Sequence, residues 1–94
     1  MIPRISIEAA LTGLFDYAVS YDTEQMFADT GLESPLECLV AAVEGLPPEA
    51  RAVEVAFDGI VSGTYALEML AHNPEPIAQH AVNTAEAVRE ALGS

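Results

Sequence analysis

Residues 34–48, Ser-Pro-Leu-Glu-Cys-Leu-Val-Ala-Ala-Val-Glu-Gly-Leu-Pro-Pro, limit the possible folds more than any other stretch of this chain. Ser34 is of the type that caps a helix, Pro35 suits the first helical position, and Glu37 stands where a capping box places an acid. Gly45 is a stop signal, and Pro47 and Pro48 lie just beyond it. Between start and stop the only charged residues are Glu37 and Glu44. Leu36, Cys38, Leu39, Val40, Ala41, Ala42 and Val43 therefore cover nearly the whole circumference, and a short helix that is apolar all round is buried on more than one side. A chain of 94 residues supports a single core, so residues 1–94 read as one domain.

Helical spacing recurs on both sides of this segment. Ile7, Leu11, Leu14, Phe15 and Ala18 fall on one stripe, with Thr12, Asp16 and Ser20 opposite, which predicts an amphipathic helix from Ser6. Asp22-Thr23-Glu24-Gln25 offers a cap for a short second helix that Gly31 would stop. Towards the C-terminus, Asn73 precedes Pro74 and Pro76, and Ile77, Ala81, Ala85, Val88 and Leu92 form a further stripe opposed by Gln79, Asn83, Glu86 and Glu90.

The segment from Pro48 to His72 has two readings. As a helix it places Val53, Phe57, Ile60, Thr64, Leu67 and Ala71 on one stripe and the small residues Ala52, Ala56, Gly59, Gly63 and Ala66 on another. Two interior glycines would cost about 1 kcal/mol each, offset by close packing of a neighbouring helix or a second copy along the small stripe. As a hairpin it alternates around Asp58-Gly59, a strong turn signal. Pro48-Glu49-Ala50 is a helix opening and favours the first reading. The expected fold is therefore all-α, a compact bundle of four to five short helices, with an α+β fold carrying a hairpin at residues 53–65 as the alternative.

Charge restricts the partners. Fifteen acids against three arginines give a formal charge of −12. Such a surface repels nucleic acid and anionic membranes, which need cationic contacts, and attracts basic protein surfaces, including those that normally hold nucleic acid. Asp16, Asp22, Glu24, Asp29, Glu33 and Glu37 lie in a stretch with no cation between Arg4 and Arg51 and form the candidate partner-binding face. The apolar fraction of 51% exceeds what a few short helices hide, so self-association is expected as well. One cysteine excludes an internal disulfide and fits a reducing compartment, no stretch approaches the ~20 apolar residues of a spanning helix, and the expected location is cytoplasmic.

Signals for chemistry are weak. His72 and His80 lack metal-ligand spacing, Cys38 has no basic neighbour to activate it, and residues 59–64 lack the lysine and spacing of a phosphate loop. The expectation is a non-enzymatic chain with no metal and no cofactor.

A different reading comes from Phe27-Ala28-Asp29-Thr30-Gly31-Leu32-Glu33-Ser34. This run resembles the segment of acyl and peptidyl carrier proteins that ends in the modified serine, and Phe57-Asp58 echoes a pair that many carrier domains place at a similar distance beyond it. The resemblance implies a helical bundle with phosphopantetheine on Ser34. Two functional expectations follow: a protein–protein interaction module, in the manner of small phage-encoded inhibitors that occupy a basic, nucleic-acid-handling surface, or a carrier-like protein modified at Ser34.

Overall fold

The computed structural model describes residues 1–93. These residues form β1 (Arg4–Ala9), β2 (Phe15–Tyr21), β3 (Glu24–Leu32), α1 (Pro35–Glu44), β4 (Ala52–Phe57), β5 (Ile60–Ala66), α2 (Leu67–His72) and α3 (Pro74–Gly93). The five strands make one mixed sheet in the order β3-β2-β1-β4-β5, and β1 and β4 run parallel while the other neighbours are antiparallel. The fold is α+β, and the expectation of an all-α helical bundle is wrong.

The N-terminal third shows why. Ile5 and Ile7 alternate with Arg4, Ser6 and Glu8, and Tyr17 and Val19 with Asp16, Ala18 and Ser20. The first member of each set is buried and the second points away from the core, which is the period-two pattern of a sheet with one covered face. The helical stripe read over the same residues depended on Leu11 and Leu14. Both lie in the loop between β1 and β2, and Leu11 is 74% exposed. Asp22-Thr23 does not cap a helix either. Both residues have positive φ, 50° and 71°, so they form the two-residue turn that joins β2 to β3 in the twist hairpins prefer.

The segment after residue 51 takes the hairpin alternative. Asp58 and Gly59, at φ 50° and 81°, turn β4 into β5. Asp58 also ties this turn down: its Oδ1 accepts from the Ala9 N–H at 3.0 Å, and its Oδ2 pairs with Arg89 of α3 at 2.7 Å. The small residues expected along one helical stripe are dispersed. Ala52 and Ala56 lie on β4, Gly59 in the turn, and Gly63 and Ala66 on β5. A methyl on Gly63 would meet the Tyr65 hydroxyl at 2.9 Å, so that glycine makes room for an aromatic ring rather than for a helix.

The two helices predicted at 35–44 and from Pro74 do form. Both cover the same face of the sheet, where Ile5, Ile7, Val19, Val53 and Val55 meet Cys38, Leu39 and Ala42 of α1 and Ile77, Ala78, Ala81 and Ala85 of α3. Leu70 of the short α2 completes the core. The apolar stripe of α3 runs out before the helix does, and Leu92 is 81% exposed. Among the described residues no helix is long and apolar enough to cross a membrane.

Replacing Gly59 by alanine isolates the turn, because nothing lies within 4 Å of the added methyl and only the positive φ opposes it. Gly59→Ala should lower unfolding stability by about 1–2 kcal/mol with the fold retained, measurable by chemical denaturation.

Candidate functional site

The corner where β3 leads into α1 gathers most of the predicted acidic face. Four backbone amides there are each held by a nearby side chain. Thr30 N–H donates to Asp29 Oδ1 at 2.8 Å, Gly31 N–H to Asp16 Oδ1 at 3.2 Å, Glu33 N–H to Glu37 Oε2 at 2.8 Å, and Glu37 N–H to Ser34 Oγ at 3.1 Å. Ser34 thus caps α1 as its sequence suggests. The carboxylate of Glu37 reaches one residue further back than a capping box places it, to Glu33 instead of Ser34. The positive end of the α1 dipole favours these acids at its N-terminus.

Gly31, at φ +75°, sits where the pairing of β2 and β3 shifts register between Phe15 and Tyr17. That bulge lets Asp16 reach round to the Gly31 amide. Asp22 and Glu24 occupy the other end of the hairpin, in and after its turn. Asp16, Asp29, Glu33 and Glu37 therefore meet at the β3–α1 corner, and Asp22 and Glu24 stand at the opposite end of the β2–β3 hairpin, instead of all six surrounding a helix. Sequence reading missed Glu8, which stands directly across from Asp16 in the β1–β2 register. Like charges in that position repel. Period-two alternation in residues 4–9 is the signal that would have placed Glu8 there.

None of the six acids makes an ion pair among the described residues. Arg4 is paired with Glu54 and Arg89 with Asp58, both on the β4 side. The concentration of unneutralised carboxylates is felt inside the core. Cys38 is fully buried, and its thiol is pushed up to about 11, first by desolvation and then by the charges of Asp16, Glu37 and Asp29. Burial likewise raises the Tyr17 hydroxyl, with Asp29 adding to it. Cys38 is a protonated packing residue at neutral pH, as its apolar helix suggests.

Ser34 also borders a shallow depression with Leu36, Ala78 and Val82, between α1 and α3. A larger open groove of about 650 Å³ continues past Leu36 and Val40 to His72 and Pro74. There the His72 Nδ1–H donates to the Glu68 carbonyl at 2.9 Å, a local bond that ends α2. No cluster of three or more potential metal ligands occurs among the described residues. Comparison with protein-family models, curated proteins and solved structures finds no match.

Two outcomes follow from this geometry. Ser34→Ala should cost about 0.5–2 kcal/mol of stability by removing the α1 cap. Because the Cys38 thiol titrates near 9 when unfolded and about 11 when folded, the unfolded chain holds fewer protons between those values. The stability contribution of Cys38 should then be intact below pH 9 and decline as pH rises from 9 to about 11. Cys38→Ala should flatten that part of a stability–pH curve measured by urea unfolding.

Proposed function

We propose that the chain is a non-enzymatic interaction module whose acidic β3 side and β3–α1 corner occupy a basic surface on a protein partner, of the kind that otherwise handles nucleic acid. A small inhibitor acting in the reducing cytoplasm fits this reading. One observation carries it: six carboxylates that form no ion pair among the described residues lie on the β2–β3 hairpin and at the β3–α1 corner, whereas the two ion pairs, Arg4–Glu54 and Arg89–Asp58, are made to β4 and the turn after it.

The arrangement suits fast capture of a cationic partner. Asp16, Asp29 and Glu37 are held in place by backbone amides, so the local field is fixed and little side-chain order is lost on binding. Such fields raise encounter rates and fade with salt over a Debye length of about 10 Å at 0.1 M.

The test is association with a partner captured from native extract, followed at low and high salt. Reversing Asp22, Glu24, Asp29 and Glu33 to lysine together should slow association strongly with the fold retained, since all four are exposed. Single reversals should each change binding by about 0–1 kcal/mol. Association that ignores both salt and the fourfold reversal would show that the acids serve solubility alone.

A further inference from the structure

α1 and α3 lie side by side on the sheet, and the seam between them is not filled. Depressions of about 650, 250 and 420 Å³ follow one another along it. On α3 they are lined in turn by Pro76 and Gln79, by Gln79 and Val82, and by Val82 and Glu86, so each lies roughly one helical turn, ~5 Å, beyond the last. From Pro74 to Glu86 they make one groove about 18 Å long at ~1.5 Å per residue. Apolar side chains run its whole length: Val40 and Leu36 at one end, then Pro35 and Val82, then Phe15 and Phe57. Val40 is 39% exposed, and Leu36, Val82 and Phe15 are half-buried, so this surface is open to a ligand.

Carboxylates stand on both walls. Glu75 and Glu86 line the groove from α3, and neither side chain makes an ion pair or hydrogen bond among the described residues. On the α1 side, Glu33 and Glu37 flank the lining residues Ser34, Pro35 and Leu36 along the chain, and the Glu33 carboxylate is equally free. Arg89, the arginine of the lining, is already held by Asp58. An apolar floor between acidic walls suits a ligand that is apolar on one face and cationic on its flanks. Three apolar anchors a turn apart are what an amphipathic helix presents at i, i+3 or i+4, and i+7. A second copy does not qualify, because it has three arginines and no lysine and would bring carboxylates to carboxylates.

We propose that the α1–α3 groove receives one basic amphipathic helix of a partner protein, with its apolar side chains on Leu36, Val40 and Val82 and its lysines or arginines against Glu33, Glu75 and Glu86. The proposal rests on the reading of the chain as an acidic interaction module and names the element of the partner that is held. It adds the helical side of the β3–α1 corner to the contact.

The test titrates the full nitrogen-15-labelled chain with a synthetic Leu/Lys peptide of helical periodicity, about four turns long, and with a scrambled peptide of the same composition and charge. The periodic peptide should bind about tenfold or more tightly than the scrambled one and shift the amide signals of Leu36, Val40 and Val82. Val40→Lys should weaken it by about tenfold, and Glu75→Gln with Glu86→Gln should reduce its salt dependence. The signal mapping uses the parent chain, so it decides even where a variant loses its fold. Equal binding of the two peptides, or shifts confined to the β2–β3 hairpin, overturns the helix-in-groove contact and leaves the charge-driven reading standing. Failure of both peptides to bind at low salt overturns both.

Discussion

The parallel pairing of β1 with β4 is the constraint on which the rest of this structure depends. Antiparallel neighbours can be joined by two-residue turns, as β2–β3 and β4–β5 are, but β4 must arrive beside β1 from the far edge of the sheet. The connection from β3 therefore has to cross the sheet, and such crossings need a dozen or more residues, usually with a helix. α1 is that helix. It lies on Ile5, Ile7 and Val19 below and against α3 beside it, which explains why its apolar residues run round nearly the whole circumference. Alanine at positions 42, 78, 81 and 85 keeps both helices close to the strands and to each other. These alanines thus seat two helices on one sheet face.

Residues with direct local consequences were legible in the sequence. Ser34, Pro35 and Gly45 bound α1 because capping and chain termination act within a few residues. The stripe from Ile77 to Ala85 defined α3, and Asp58-Gly59 marked a turn, although a competing helical stripe was preferred there. Residues 4–32 were misread because β1 and β2 are short and offer only two or three alternations, and β3 is exposed along most of its length and shows none. A helical template could match them by borrowing Leu11 and Leu14 from a loop. The β2–β3 turn was harder still. Thr23 is β-branched at φ 71°, a position that glycine or asparagine would have announced. Strand pairing between residues 50 positions apart, such as Arg4 with Glu54, has no local signature at all.

Six acidic residues of the candidate site were identified from the sequence, but neither Glu8 nor the arrangement was. Along the chain they form a loose group; the β2–β3 hairpin divides them between its turn and the β3–α1 corner. Glu8 joined them only through the β1–β2 register. The positive residues sort by the same topology. Arg4 meets Glu54 through the parallel pair, and Arg89 reaches Asp58 because α3 runs back across the sheet to the β4–β5 turn. Which carboxylates meet an arginine is therefore a property of the fold and not of the local sequence.

With no lysine and only three arginines, the charge with which this chain can guard a strand edge against its own copies is negative, and on β3 it adds to the two register shifts with β2. The same device works in opposite directions for different partners. Carboxylates along β3 repel a second copy of β3 and attract any basic surface, so that edge is selective for something other than itself. β5, with no charge to repel its own copy, has no such selectivity against itself and little attraction for a cation.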